Sequence, residues 1–259
     1  MIQSTADTQL EIDRALCRSI LYDVLCECLS TPTQATMDRL SSVSTREAIC
    51  EAAQEIGAAA AHATRELFSQ AAQCDARELA EEFQRLFGHT AHGQVPPYET
   101  EYGSDDMFRQ SEELADLGGF YRGFGLTLPP TRSERPDHVC AECEFLSFLA
   151  CKEAYERIEA RQEALEVVQR AEKLFLKEHL GRFGRAFALS LEKHTRHAFY
   201  RASAGLFLEL LAHDCKELGI EQGQEFLAIR EGRDDGVPMA CGSSCPLLTS
   251  EPSDAEDGT

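Results

Sequence analysis

Apolar residues recur at helical spacing along almost the whole chain, and this pattern restricts the fold more than any other feature. Ile12, Leu16, Ile20 and Val24 are four residues apart, with Leu21, Leu25 and Cys28 beside them, and together they predict one apolar stripe on a helix over about 9–29. No segment alternates apolar and polar residues as a half-buried strand does, and no repeat of fixed length is found. The sequence therefore predicts an all-α protein.

The same spacing predicts further helices, separated by proline-rich and glycine-rich segments. They are expected over about 45–73, 75–87, 105–117, 163–179 and 196–217, with a long helix beginning past Asp137 and a short one at Phe120 and Tyr121. Gly88 and the pair Gly118-Gly119 are expected to end two of them, because glycine often follows a helix. The alanine-rich stretch 45–73 has few large apolar groups, so it is expected to pack closely or to lie outside the main core.

A chain of 259 residues is long enough to form one large helical domain, which we expect over residues 1–229. From about residue 230 the chain is rich in glycine, serine, proline and acids, and 234–259 contains no basic residue. Such a composition cannot bury enough apolar surface to fold. We therefore expect 230–259 to be a disordered acidic tail.

The net charge of -20 narrows the classes of partner. Phosphate backbones and anionic lipids are repelled by such a chain, so nucleic-acid binding and membrane-surface binding are disfavoured. A basic partner is attracted, and its binding should weaken as salt is added. The alternative is that the acidity only keeps a helical protein soluble.

Two observations predict that the protein stays in the cytoplasm. No segment approaches the roughly 18 apolar residues that a membrane helix needs, and the first residues lack the basic and apolar regions of a signal peptide. The chain has eleven cysteines. Cys17, Cys28 and Cys151 fall in helical apolar patterns, so we expect them to be small buried side chains in a reducing compartment.

The loop 89–104 contains the first candidate for function, in the run V-P-P-Y-E-T-E-Y-G. Its paired prolines favour an extended backbone that would present Tyr98, Glu99, Glu101 and Tyr102 to a partner. Aromatic rings beside carboxylates suit a peptide with both apolar and basic side chains. The alternative is a rigid connection between helices whose tyrosines only pack.

The second candidate is Glu134-Arg-Pro-Asp-His138, which directly precedes a helix. Pro136 suits a helix start and Asp137 can cap it, so capping alone can explain both residues. Glu134 and His138 are four residues apart and could form a hydrogen bond. His138 is the residue that capping leaves unexplained.

In this order, the motifs resemble those of the TorD/DmsD-type redox enzyme maturation proteins. The resemblance covers residues 10 to 218. It rests on the P-Y-E-T loop, the F-Y-x-x-F-G-L segment at 120–126, the E-x-P-D-H motif, the E-F-L-S-F-L-A run at 144–150, K-E-A at 152–154, F-L-K-E-H-L at 175–180 and F-Y-R-A-S-A at 199–204.

The resemblance implies a single TorD-like helical bundle without catalytic activity or a bound cofactor. Proteins of this kind bind the twin-arginine signal peptide and the apo-form catalytic subunit of a molybdopterin oxidoreductase of the DMSO reductase family, and they delay its export until the cofactor is inserted. By this resemblance, the client-binding residues are Tyr98, Glu99, Tyr102, Glu134, Pro136, Asp137 and His138. The chain is expected to be a monomer or a domain-swapped dimer. Some relatives bind guanine nucleotides, but no phosphate loop is found here.

Two pairs of cysteines leave open a thiol-based metal or redox sensor. Cys140 and Cys143 lie just past His138, and Cys241 and Cys245 lie in the acidic tail. Four thiols could bind zinc or an iron-sulfur cluster. Against this, Cys143 belongs to an apolar stripe and fits the core, and the tail pair alone could form a disulfide.

A further alternative is a metal-dependent phosphohydrolase of the HD type, suggested by the doublet His213-Asp214. In such enzymes His and Asp share a divalent ion. The chemistry needs another histidine upstream, such as His138 or His179, and a further aspartate downstream. His213 also lies on the apolar face of its helix, which favours a hydrogen-bonded histidine of the core.

Overall fold

The computed structural model describes residues 2–88, 93–103, 107–127 and 135–230, and they form a bundle of α-helices. The helices are α1 (Ile2–Leu29), α2 (Gln34–Ser41), α3 (Val43–Ile56), α4 (Ala58–Ala71), α5 (Ala76–Phe87), α6 (Met107–Gly123), α7 (Val139–Ile158), α8 (Gln162–Glu178), α9 (Leu180–His194) and α10 (Ala198–Glu217). A short 3-10 helix spans Glu99–Glu101. The described part of the chain contains isolated β-bridges but no strand, which confirms the prediction of an all-α protein.

Helix α1 packs along α7 in the middle of the bundle, and α10 packs against α4 and α9. The buried face of α1 carries Leu21, Val24 and Leu25, whereas Leu16 and Ile20 are exposed. The predicted stripe was therefore partly wrong. An i+4 spacing alone does not say which of two neighbouring apolar rows meets the core, and the contact with α7 selects the row of Leu21 and Leu25.

The alanine-rich stretch is divided into α3 and α4 at Gly57, whose φ of 149° is unfavourable for other residues. Ala53 and Ala60 are buried in the main core cluster. Small side chains let neighbouring helices approach closely, so the first of the two expectations for this stretch is confirmed.

The end of α6 differs from the prediction. Helix α6 continues through Gly118 and Gly119, because the unbroken helix places Leu117 and Tyr121 four residues apart on one buried face. This burial outweighs the helix penalty of about 1 kcal/mol for each glycine. Helices α2 and α9 were not predicted from the sequence. Helix α9 was detectable in principle, since Leu180, Phe183, Phe187 and Leu191 have helical spacing and are buried.

The cysteines within helices are not uniformly buried. Cys28 is buried, Cys17 is half-buried and Cys151 is exposed, so the expectation for Cys151 was wrong. Apolar neighbours along the sequence did not reveal that Cys151 lies on the exposed surface of α7.

Among the described residues, no helix is both long and apolar enough to cross a membrane.

The end of the described chain packs on the loop that follows α5. The Arg230 N–H donates to the Glu101 carbonyl at 2.8 Å, and Tyr102 forms an isolated bridge with Ile229. The predicted tail 230–259 lies outside the described residues except for Arg230. A domain ending at residue 229 stays a prediction.

Candidate functional site where two loops meet

The two loops selected from the sequence lie side by side, although 30 residues, 104–133, separate their motifs along the chain. Tyr98 and His138 form an antiparallel bridge. The Glu99 N–H donates to the Asp137 carbonyl and the Val139 N–H donates to the Pro97 carbonyl, each at 2.8 Å. We refer to this pairing as the loop bridge. It brings together the residues at 97–99 and 137–139.

One side of the loop bridge forms a small aromatic surface. The rings of Tyr98 and His138 meet edge to face with centroids 5.2 Å apart, and the Arg135 guanidinium lies 4.8 Å from the Tyr98 centroid. Tyr98, Arg135 and Pro136 are half-buried, whereas His138 is buried. We call Tyr98, Arg135 and Pro136 the Tyr98 surface. A ring held between a cation and a second ring is positioned before any partner binds.

Asp137 holds the two loops together from inside. Its carboxylate is fully buried and accepts hydrogen bonds from the Thr100 hydroxyl at 2.7 Å and from Arg135 at 2.7 and 3.0 Å. The residue at the N-cap of α7 is His138, whose Nδ1 accepts from the Cys140 N–H at 3.1 Å. The prediction that Asp137 caps this helix was therefore wrong, because its carboxylate is turned toward Thr100 and Arg135.

Glu99 is also buried and connects the loop to α9. Its carboxylate accepts a hydrogen bond from Arg182, and its Oε2 lies 3.0 Å from His179 Nδ1. On the other side of the ring, His179 Nε2 lies 3.3 Å from Asp116. Burial alone would lower the pKa of Arg182, but Glu99 and Glu113 raise it, so the cation persists at this site.

Glu142 lies beneath this layer, fully buried, and its two carboxylate oxygens have no hydrogen-bond partner. Burial raises its pKa well above the usual range, and the negative charges of Glu99 and Asp137 raise it further. Such a setting favours the protonated, uncharged form of the Glu142 carboxyl group. Glu99 and Asp137, by contrast, each accept a hydrogen bond from an arginine.

The remaining predicted residues lie around this cluster. Tyr102 is buried and its hydroxyl donates to the Pro96 carbonyl at 2.8 Å, which fixes the turn of the loop. The Tyr121 hydroxyl donates to the Pro136 carbonyl at 2.8 Å and supports the second loop. The expectation that the loop presents its side chains to a partner was wrong for Glu99, Glu101 and Tyr102, which face inward; Tyr98 is half-buried. Glu134 lies outside the described residues.

The residues that hold the carboxylates were not predicted from the sequence, namely Thr100, Arg135, His179 and Arg182, and neither was the buried Glu142. Arg135 lies within the second motif and could have been considered as a partner for Asp137. No local pattern connects Glu99 to His179 or Arg182, which are 80 or more residues away in sequence.

The cysteine pair of α7 is part of the packed interior. Cys140 Sγ lies 3.4 Å from the Cys26 carbonyl oxygen and 3.4 Å from the Ser30 hydroxyl. Burial raises the pKa of Cys143 well above its usual range, which disfavours the thiolate that a metal requires. No group of three or more His, Cys, Asp or Glu side chains within the described ranges could hold a metal ion. Cys241 and Cys245 lie outside those ranges.

The His213-Asp214 doublet belongs to a buried ion cluster formed by Arg18, Tyr22, Glu153, Glu172 and Asp214, which we call the Arg18 cluster. Asp214 accepts from Arg18 Nε at 2.9 Å and from the Tyr22 hydroxyl at 2.9 Å. Arg18 also pairs with Glu172 and, at 3.4 Å, with Glu153. Burial alone would raise the pKa of Asp214, but Arg18 holds it below its usual range. Asp214 is therefore engaged by a guanidinium, an arrangement that does not support the phosphohydrolase alternative.

The Arg18 cluster predicts a pH dependence of stability. Burial raises the pKa of Glu172 to about 7, so the folded protein binds a proton there between about pH 4.5 and 7 that the unfolded chain does not. The stability that this proton contributes is fully present below about pH 4.5 and is lost as the pH rises through 7. The loss in the free energy of unfolding is on the order of 3 kcal/mol. Urea unfolding from pH 5 to 8 is expected to show a shallower decline for Glu172→Gln. A constant difference between the two proteins across this range contradicts the assignment.

Part of the chain matches a known protein family and a known relative. Residues 44–189 match the family described as "Nitrate reductase delta subunit". The chain is also 42% identical over 69 residues to a perchlorate reductase assembly chaperone protein from Dechloromonas aromatica (strain RCB). That alignment covers 26% of this chain and 29% of the relative, so it spans less than a third of either protein. The family match includes the loop bridge, α6, α7 and α8.

Proposed function

Because the chain belongs to the nitrate reductase delta subunit family, a membership that confirms its resemblance to the TorD-type maturation proteins, we propose that it is an assembly chaperone and not an enzyme. Its client would be the apo-form catalytic subunit of a molybdopterin oxidoreductase. The family match carries this proposal, since it covers more than half of the chain and includes both motif loops. The relative named as a perchlorate reductase assembly chaperone agrees with it.

The proposal extends to the signal peptide of the client. A twin-arginine signal is basic near its start, and a chain with a net charge of -20 attracts it. The Tyr98 surface offers an aromatic ring, while Asp137, Glu99 and Tyr102 hold the backbone beneath it through the buried contacts described above. Binding of the signal before export would place this step in the cytoplasm. Insertion of the cofactor and folding of the client would then release the chaperone.

Replacing Tyr98 with alanine is expected to weaken binding of a synthetic twin-arginine peptide by about tenfold, which corresponds to about 1.4 kcal/mol. The ring contributes contact area and loses little entropy, because Arg135 already holds it. Isothermal titration calorimetry at low and high salt measures the effect. The wild-type affinity should fall as salt increases.

Tyr155→Ala is the matched control for this experiment. Tyr155 is 49% exposed on α7, and the Arg161 guanidinium lies 4.7 Å from its ring centroid, as Arg135 does at Tyr98. We expect Tyr155→Ala to bind the peptide like the wild type. Equal losses in both variants would contradict a specific role of the Tyr98 surface. Absence of binding by the wild type to signals from several molybdoenzymes would contradict the proposed function itself.

A further inference from the structure

A groove runs between α6 and α8 beside the loop bridge. It is formed by two adjoining hollows of about 530 and 460 Å³, which share Asp116, Phe120 and Leu174 in their walls. Glu112 and Glu178 line one end, and Gly123 and Val167 line the other, so the two helices are antiparallel along the groove. We call it the α6–α8 groove. Helix α8 packs mainly on α7 and α9, which leaves this face of α8 toward the groove.

The end of the groove near the loop bridge is acidic. Glu112, Glu113, Asp116 and Glu178 all line it, together with His179 and Arg182. Arg182 is already paired with Glu113 at 2.8 Å and with Glu99. Glu112 and Asp116 are exposed, Asp116 lies 3.3 Å from His179 Nε2, and Glu178 pairs with Lys177 at the surface. This end therefore has an excess of accessible negative charge, which attracts a cationic side chain.

The other end of the groove is mainly apolar, and Arg170 is the basic residue of its lining. Phe120, Phe124 and Leu174 form its walls, and Val167 is 61% exposed at its edge. Phe120 and Phe124 are held in place by edge-to-face contacts with Phe145, at centroid distances of 6.3 and 5.8 Å. Rigid apolar side chains around a hollow can bind an apolar segment with little loss of entropy.

Glycines make this apolar end open. Gly119 and Gly123 are four residues apart on α6 and both line the groove. A Cβ atom placed at either position meets no atom within 4 Å. A larger side chain at Gly119 would therefore extend into the groove without displacing any part of the protein, and this makes Gly119 a position at which the groove can be blocked.

We propose that the α6–α8 groove binds the client segment in which arginines are directly followed by an apolar run, with the arginines at the Glu112 end. This inference rests on the proposed function, and it adds to the Tyr98 surface a second contact region for the signal peptide and a direction of binding. From Glu112 to Gly123 the groove is about 16 Å long, using a helical rise of about 1.5 Å per residue. It holds about five residues of an extended segment.

Charge complementarity favours this occupant over two others, namely the acidic segment 234–259 of the same chain and a second copy of the chain. The segment 234–259 contains acids and no lysine or arginine, so the acidic end repels it. A second copy of the chain also carries a net charge of -20 and is repelled at low salt. A basic segment followed by apolar residues is attracted at one end and buried at the other.

The test is calorimetric titration of the full chain with a synthetic peptide in which two adjacent arginines precede an apolar run. Val167→Glu, Gly119→Leu and Glu112→Lys are each expected to weaken binding by about tenfold or more. Val43→Glu is the control for Val167, since Val43 is 68% exposed on α3. Glu51→Lys, also exposed on α3, is the control for Glu112. Both controls should bind within about twofold of the wild type.

Gly119→Leu separates a blocked groove from a damaged fold. Leucine stabilises a helix relative to glycine by up to about 1 kcal/mol, so the thermal midpoint should be unchanged or higher while binding is lost. If the midpoint falls together with binding, Gly119→Leu has damaged the fold. The inference is then decided by Val167→Glu and Glu112→Lys, whose positions are exposed.

The direction of the peptide is tested with two altered peptides. If glutamines replace the arginines, Glu112→Lys should no longer weaken binding further; if serines replace the apolar run, Val167→Glu should lose its effect. Wild-type binding that none of the three groove variants changes overturns this inference and leaves the proposed function standing. No binding by the wild type overturns both. A wild-type dimer that Val167→Glu converts to monomer would assign the groove to a second copy and overturn it as well.

Discussion

Replacing Arg18 with methionine is expected to lower the free energy of unfolding by about 3–5 kcal/mol. Arg18 is buried and pairs with Asp214, Glu172 and Glu153, so its removal leaves Asp214 and Glu172 in the interior without their guanidinium partner, whereas Glu153 keeps Arg157. Methionine keeps much of the volume of the arginine side chain, so the loss of stability reports mainly on the missing positive charge. Urea unfolding at pH 7.5 measures it.

The control for this prediction lies one turn earlier on α1. Arg14 is exposed, and Arg14→Met should change the free energy of unfolding by no more than about 0.5 kcal/mol. Adding Glu172→Gln and Asp214→Asn to Arg18→Met should restore part of the stability, because neutral side chains have a smaller desolvation penalty. If the triple variant is no more stable than Arg18→Met, buried charge is not the cause of the loss.

Replacing Asp137 with alanine is expected to destabilise the protein by about 3 kcal/mol and to loosen the loop bridge. The change leaves Arg135 and the Thr100 hydroxyl without their buried acceptor. Asp38→Ala, at an exposed residue of α2, should have an effect within about 0.5 kcal/mol. Denaturant unfolding gives the magnitude, and hydrogen exchange at the amides of Glu99 and Val139 reports on the loop bridge.

Comparing Asp137→Ala with Tyr98→Ala distinguishes residues that hold the loops in place from residues that contact the peptide, two roles that the sequence motif does not distinguish. Asp137 is fully buried, whereas Tyr98 is half-buried at the surface of the same loop bridge. A loss of peptide binding in Asp137→Ala follows from loosened loops as readily as from a lost contact. Tyr98→Ala removes a surface ring and leaves the buried hydrogen bonds in place. Unchanged exchange rates at Glu99 and Val139 in Asp137→Ala would contradict its positioning role.

The helical class and both motif loops could be recognised from sequence, because they depend on local spacing. Helical periodicity identified α1, α5, α7, α8 and α10, and paired prolines marked the loops. The groove could not be recognised in this way. Phe120, Leu174 and Val167 belong to ordinary amphipathic helices, and only the separation of α6 from α8 makes them line a common hollow.

The sequence by itself determined the helical fold, the acidic charge and the order of motifs that indicated the family. Each of these depends on residues close together in the chain or on composition alone. The tertiary structure decided which carboxylates are buried and which remain accessible. Three buried carboxylates pair with arginines: Glu99 with Arg182, Asp137 with Arg135, and Asp214 with Arg18. The first and the third of these pairs join parts of the chain that are far apart in sequence. Desolvation and pairing of charge depend on distances in space, which spacing along a chain does not specify.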